Sequence, residues 1–269
     1  FNEEWAALAG GRVWSSSMGV HRRPAAAPAR QPRQRGTRPL RRPAAAGGAL
    51  PAGRRPLFLL APGASNRPSP AVRACLERWG EVREFVYPGR GTPNLLGRRA
   101  ECLGAHLSEV RAAAAAARGR PLYLAGVSFG ARCAAELLGE AAAEATATAT
   151  TTAAALPSTV RGLVAFGYPL VALGDQRQPD PSKRKQDRSK PLLAVPPSRR
   201  VLLVSSERDP FLAGDRGAAL RRISRRMMAQ CQLALLEGSN HNPVTPRTEE
   251  EVHSALCAYL GRSAGGSGA

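Results

Sequence analysis

The stretch PLYLAGVSFGARCAAELL (121–138) places one serine, Ser128, between Gly126 and Gly130. An apolar run precedes this G-x-S-x-G motif, and an alanine-rich, helix-favouring segment follows it. At a sharp strand-to-helix turn, a side chain at either glycine would strike a neighbouring element, and the serine is held in a strained conformation. The pattern predicts a nucleophilic serine at a helix N-terminus, with the Phe129 backbone N–H placed to stabilise an oxyanion.

A serine hydroxyl needs a base to become a nucleophile, and the base needs a third group to hold it. Four histidines are available. His21 lies in an arginine-rich segment, whereas His106 and His253 fall inside predicted helices, where a structural imidazole is the default interpretation. His241 lies in the loop GSNHNP just after a predicted strand. Parallel sheets bind ligands at that edge, so we predict His241 as the base.

The acid is expected in another loop that follows a strand. Asp209 in SSERDPF meets this condition. Asp215 is the competing candidate, although its position six residues later favours the start of a helix, and Glu207 is a weaker alternative nearer the strand end. The order Ser128, Asp209, His241, with each residue after a different predicted strand, is the chain order of α/β-hydrolases.

A second oxyanion donor is expected from the loop after the strand that opens the core. That loop is APGASN (61–66), in which Gly63 permits close backbone approach and Ala64 is the candidate N–H donor. An ordinary strand-to-helix turn is the alternative interpretation of the same residues.

The segments that must position these residues alternate between short apolar runs and longer helical stretches. This alternation indicates βαβ units, and continuous apolar runs are typical of strands buried on both faces. We predict an α/β fold of the α/β-hydrolase type, with a mostly parallel central sheet flanked by helices. The predicted strands are 56–62, 82–88, 122–127, 162–169, 200–206 and 232–238.

Three Ser/Thr-Pro pairs predict helix starts, because a hydroxyl suits the N-cap and proline suits the first helical position. They are Ser69-Pro70, Thr92-Pro93 and Thr245-Pro246. A long helix is expected over about 94–117, before the strand that carries Ser128.

The domain organisation follows from shifts in composition. Residues 1–55 are rich in proline, alanine and arginine without hydrophobic periodicity, which predicts a disordered basic tail. A single hydrolase-like domain is expected over 56–262, followed by a flexible C-terminus at 263–269. Insertions are expected at about 144–159, a low-complexity tract, and at 171–198, which is basic and polar.

The net charge of +19 is concentrated in two of these segments. Residues 1–55 hold eleven arginines against two glutamates, and 171–198 holds six basic residues against three aspartates. The excess is explained either by a GC-biased coding sequence or by a selected contact with an acidic protein or nucleic acid through the tail. Direct nucleic-acid recognition would rest on charge alone, because the chain lacks a recognition motif and only 5% of its residues are aromatic.

Five cysteines without metal-ligand spacing predict free thiols, none of them catalytic, in a reducing compartment. We therefore expect an intracellular protein, cytoplasmic or nuclear. From Met18 onward the acid-free, arginine-rich tail is also compatible with organellar targeting. No apolar run approaches the roughly 20 residues that cross a bilayer. Neither a cofactor nor a metal is expected, and the oligomeric state is left open.

Several stretches together resemble one protein family: LLAPGASN, LAGVSFGARCAAELL, VRGLVAFGYPL, VLLVSSERDPF and LLEGSNHN. They are similar to the dienelactone-hydrolase-related α/β-hydrolase domain over about 56–262. The resemblance is strongest to the branch shared by the third subunit of the non-specific-lethal chromatin complex and a testis-expressed hydrolase-like protein. Its most branch-specific feature is G-Y-P-L at 167–170, followed by a basic loop.

The resemblance implies the same three site residues. The family's G-x-S-x-G corresponds to Gly126–Gly130, its acid to Asp209, and the histidine of its N-H dipeptide to His241. The family usually opens its oxyanion loop with His-Gly-Ala-Gly, whereas this chain has Ala61-Pro62-Gly63-Ala64, so the histidine of that loop is absent.

Two classes of function follow. The first is a serine hydrolase that cleaves an ester, thioester or related acyl bond of a small molecule. The alternative is a catalytically silent hydrolase-like interaction module, linked to chromatin or another acidic partner. The stretch 175–190 has no apolar residue beyond prolines, which argues against a lipase-like lid and favours either a surface loop or a basic rim for anionic acyl substrates.

Overall fold

The computed structural model describes residues 55–67, 69–89, 98–147, 156–172, 188–212 and 216–261. They all belong to one compact unit, Gly47–Ala269. The parts of the prediction that lie outside the described residues are residues 1–54 of the tail, 148–155 and 173–187 of the two insertions, the Thr92-Pro93 pair, Asp215 and the C-terminal segment 263–269.

Within the described residues, six strands form one sheet in the order β2-β1-β3-β4-β5-β6. Every neighbouring pair is parallel, as predicted. β1 and β3–β5 are almost entirely buried, which explains their continuous apolar sequences. The strands are β1 Leu57–Ala61, β2 Glu81–Glu84, β3 Leu122–Val127, β4 Val160–Phe166, β5 Arg200–Ser206 and β6 Gln230–Leu236.

Helices cover both faces of the sheet. Alternate strand residues point to opposite sides, so Leu57 and Leu59 belong to one core cluster and Phe58 and Leu60 to the other. The first cluster contains residues of α2 to α5, and the second contains residues of α1 and α6. The helices are α1 Pro70–Glu77, α2 Arg99–Ala116, α3 Phe129–Ala147, α4 Lys190–Leu193, α5 Ala218–Arg226 and α6 Glu249–Gly261.

The helix starts agree with the sequence in one case and not in another. Ser69 is the N-cap of α1 and Pro70 is the first residue of the helix, as predicted. The prediction for Thr245-Pro246 is wrong, because α6 begins at Glu249. Thr245 instead opens a turn: Thr248 N–H donates to its carbonyl oxygen at 3.0 Å, and its own N–H donates to Thr248 Oγ1 at 3.0 Å. The Thr248 carbonyl then accepts from the Val252 N–H, which makes Thr248 the helix cap.

Two described elements extend into the segments expected as insertions. α3 continues to Ala147, four residues into the low-complexity tract, and α4 lies within 171–198. Arg188, within the second segment, is hydrogen-bonded to residues at and just before the start of that segment. Its Nη1 donates to the Val171 carbonyl at 3.0 Å, and its own carbonyl accepts from the Tyr168 hydroxyl at 2.8 Å.

Candidate active site

Ser128 lies at the junction of β3 and α3, as the motif predicts. Its φ of 51° is in the left-handed region, which is a strained conformation for serine. A Cβ on Gly126 would lie 2.4 Å from the Ala131 backbone nitrogen, and one on Gly130 would lie 2.5 Å from the Pro62 carbonyl oxygen. Gly126 therefore allows the start of α3 to lie close to β3, and Gly130 allows it to lie close to the end of β1.

His241 lies beside Ser128 in the loop after β6. The carboxylate of Asp209 can only accept hydrogen bonds, so His241 Nδ1–H donates to Asp209 Oδ2 at 2.9 Å. His241 Nε2 is then free to accept from the Ser128 hydroxyl, whose Oγ lies 2.7 Å away. The structure thus joins the three residues predicted from the sequence in one chain of hydrogen bonds.

Asp209 is the buried end of this series of hydrogen bonds. Its side chain has no exposed surface, whereas that of His241 is 25% exposed. The second carboxylate oxygen, Oδ1, accepts from the Phe211 backbone N–H at 2.9 Å, which satisfies the buried charge from both sides. Glu207, the weaker alternative, instead points to Arg221 at 3.6 Å on the surface and takes no part.

Two further residues position the histidine, and sequence reasoning gave them no role. Gly167, after β4, has a φ of 60°, and a Cβ there would lie 2.1 Å from the His241 carbonyl oxygen. Phe211 packs its ring against the imidazole, with ring centroids 4.2 Å apart. The G-Y-P-L phrase contains the only signal for Gly167 in the sequence, and Phe211 has no signal beyond its closeness to Asp209.

The two predicted oxyanion donors come from separate elements. Phe129 is the first residue of α3, so its N–H has no partner four residues back within the helix. The Cβ position of Gly63 is 3.7 Å from Ser128 Cβ, which places the loop after β1 directly beside the serine. Ala64 follows Gly63 in that loop and is exposed. Its role as a donor remains a prediction.

The other described histidines lie in helices, as expected. His106 on α2 is fully buried, and burial lowers its pKa to about 3. His253 on α6 accepts at Nδ1 from the Trp79 indole N–H at 3.0 Å, and its pKa is lowered by burial and by the nearby Arg78. Neither imidazole contacts Ser128, and His21 lies outside the described residues.

Among the residues that the structure describes, the cysteines and acidic groups suggest no other chemistry. All five cysteines are free thiols, with Cys75, Cys102 and Cys133 buried. Burial raises the pKa of Cys133 to about 12, which disfavours a reactive thiolate. In the part of the chain that the structure describes, no cluster of His, Cys, Asp or Glu could hold a metal ion. Among the described helices, none combines the length and hydropathy that crossing a bilayer requires.

Comparison with solved structures identifies the same architecture in bacterial proteins. A dienelactone hydrolase from Anabaena variabilis is 17% identical with a TM-score of 0.50, covering 79% of this chain and 88% of its own. A carboxyl esterase from Bacillus coagulans is 12% identical with a TM-score of 0.53, covering 77% and 90%. TT1662 from Thermus thermophilus is 21% identical with a TM-score of 0.51, covering 77% and 89%. At these identities the likeness shows the fold.

A comparison with curated proteins found no match. The sequence model of the α/β-hydrolase domain family matches residues 87–264, well over half of the chain, and this range contains Ser128, Asp209 and His241. The chain therefore belongs to the α/β-hydrolase domain family.

Proposed function

We propose that the protein is a serine hydrolase that cleaves an ester, thioester or related acyl bond of a small molecule. The observation that carries this proposal is the hydrogen-bonded series from Ser128 through His241 to the buried Asp209, at 2.7 and 2.9 Å. Strain at Ser128 supports it as well, because a strained serine between two obligatory glycines has no evident use in packing. The dienelactone hydrolase and the carboxyl esterase that share the fold are consistent with acyl chemistry.

In the proposed reaction, Ser128 Oγ attacks the acyl carbon while His241 Nε2 takes the hydroxyl proton. The bond from the acyl carbon to the leaving group breaks as His241 returns that proton to the leaving oxygen or sulfur. Water then attacks the acyl carbon while His241 Nε2 takes a proton from it. The bond from the acyl carbon to Ser128 Oγ breaks as His241 returns that proton to Oγ, and the acid is released. Asp209 holds the Nδ1–H tautomer and stabilises the imidazolium, and the N–H groups of Phe129 and Ala64 stabilise the oxyanion.

Turnover by the wild type and by Ser128→Ala tests the proposal. On a panel of small esters, thioesters and lactones, we expect at least one substrate whose kcat/KM falls about 10³-fold or more in Ser128→Ala. Ser224→Ala is the matched control, because Ser224 lies on α5 and donates only to the Arg221 carbonyl at 3.0 Å. Equal rates for the wild type and Ser128→Ala on every substrate would favour the alternative, a catalytically silent interaction module.

We also propose that the chain belongs to the branch shared by the chromatin-complex subunit and the testis-expressed hydrolase-like protein, and that it acts in the cytoplasm or nucleus. The G-Y-P-L phrase at 167–170 and the basic loop after it support the branch. Contact of the basic tail with an acidic partner belongs to the same proposal. Imaging of the tagged full chain tests the location, and an organellar signal would contradict it.

A further inference from the structure

Asn66, in the loop after β1, forms a two-bond pairing with the backbone of Tyr87. Asn66 Nδ2–H donates to the Tyr87 carbonyl at 2.9 Å, and the Tyr87 N–H donates to Asn66 Oδ1 at 2.8 Å. The Asn66 amide thus makes the two hydrogen bonds that the backbone of a neighbouring strand would make, just past the point where β2 stops pairing with β1. It ties the loop after β1 to the segment after β2.

The backbone of Asn66 also shapes the loop that faces the serine. Its N–H donates to the Gly63 carbonyl at 2.9 Å and closes a four-residue turn, and its φ is 54°. This turn sets Gly63 against Ser128. The hydrogen bond of the turn uses the N–H of Asn66 and not that of Ala64, which lies at the second position of the turn.

Tyr87 reaches the other side of the predicted oxyanion hole. Its buried ring meets the Phe129 ring edge to face, with centroids 5.5 Å apart and an interplanar angle of 77°. A second edge contact with Phe85 at 5.2 Å and a hydroxyl contact with His106 Nδ1 at 3.2 Å fix the ring from behind. Tyr87 therefore contacts the residue that carries one predicted donor and, through Asn66, the turn that carries the other.

We propose that Asn66 and Tyr87 form a positioning unit that sets the distance between the backbone donors of Ala64 and Phe129; this inference rests on the proposed function. The two donors lie on separate elements and have no covalent frame in common. An oxyanion hole works only when both N–H groups are preorganised about one point, and a displacement of about 1 Å can cost about 10²-fold in rate.

The variant Asn66→Gly tests the unit, because glycine adopts the left-handed φ without strain and removes only the side-chain bonds. We expect kcat to fall about 10- to 100-fold on an ester that the wild type hydrolyses, while KM changes less than about threefold. Affinity for a trifluoromethyl ketone, whose adduct with Ser128 carries an oxyanion, should fall in parallel. Arg118→Gly is the matched control: Arg118 is exposed, has a φ of 49° and precedes β3 at the opposite edge of the sheet.

Each other result overturns the inference. Unchanged kcat and ketone affinity in Asn66→Gly would show that the pairing does not position the donors. If Asn66→Gly loses thermal stability but keeps a normal kcat per folded molecule, Asn66 stabilises the fold and does not position the donors. If the wild type neither hydrolyses esters faster than Ser128→Ala nor binds the ketone, both the proposed function and this inference are wrong. If the wild type is active and Asn66→Gly is equally active, only this inference is wrong.

Discussion

At the scale of single residues, the candidate site depends on glycines, which have no side chain, as much as on its three hydrogen-bonded side chains. Ser128 projects from its turn because Gly126 and Gly130 carry no Cβ. His241 reaches the serine because Gly167 leaves room for its backbone. Ser128 and the first two glycines could be predicted from the motif, and Asp209 and His241 from their loops after predicted strands. The role of Gly167 could not, because the clash that requires glycine involves a residue 74 positions away in the chain.

Gly167→Ala should therefore disable the site from a position that touches no substrate. The new Cβ would force the His241 backbone outward, and φ at this position disfavours alanine. We expect kcat per folded molecule to fall about 10²-fold, because the imidazole loses its alignment. Gly162→Ala is the control: a Cβ there would lie 2.0 Å from the Arg200 carbonyl at the other end of β4. That variant should lose stability and keep the activity of its folded fraction. Full activity of folded Gly167→Ala would refute this assignment.

At the scale of elements, all six strands could be predicted, but the predicted bounds 82–88, 162–169 and 232–238 differ from those of β2, β4 and β6. Apolar runs define β1 and β3–β5 because both faces are covered. The prediction of β2 as 82–88 extends too far, since pairing with β1 ends at Glu84. Beyond that point the Tyr87 N–H bonds to a side chain, Asn66, instead of the ladder. A side chain that replaces a backbone hydrogen-bond partner leaves no periodic pattern in the sequence. The same reason explains the wrong start predicted for α6, where Thr248 Oγ1 accepts from the Thr245 N–H.

His106 connects α2 to the segment after β2 and should make stability depend on pH. Its folded pKa is lowered to about 3 by burial, against about 6.5 when unfolded. Above about pH 6.5 both states are neutral and the contribution is constant. Between about 6.5 and 3 only the unfolded chain binds the proton, so stability falls as pH falls. In His106→Asn, denaturant unfolding should show a slope lower by about 1.4 kcal/mol per pH unit in this window. Identical slopes would contradict this.

At the scale of the whole molecule, the sheet order assembles the site from distant segments. Ser128, Asp209 and His241 follow β3, β5 and β6, and all three strand ends meet at one edge because every pair is parallel. The sequence alone predicts that edge. It does not predict that β4 lies between β3 and β5, which is what brings Gly167 under the histidine. Neighbour relations in a sheet depend on packing between whole elements, and local composition does not encode them.

The core clusters of the described residues run from Leu57 to Leu260, and the composition of residues 1–55 predicts a disordered tail, so we expect the first 54 residues to be dispensable for folding. Removal of 1–54 keeps Arg55, whose guanidinium donates to the Glu77 and Arg78 carbonyls at 3.1 Å. The melting temperature of the protein without residues 1–54 should stay within about 2 °C of that of the full chain. Removal of 1–61 deletes β1 between β2 and β3 and should abolish cooperative unfolding. A large destabilisation by the shorter deletion would show that the tail contributes to the fold.

Covalent labelling by a fluorophosphonate tests most directly whether the hydrogen-bonded series activates Ser128. The account predicts a single adduct by intact mass, mapped to Ser128, with no adduct in Ser128→Ala and labelling slowed about 10²-fold or more in Asp209→Asn. Labelling at equal rates in the wild type, Ser128→Ala and Asp209→Asn, or no labelling of the folded wild type, would contradict it.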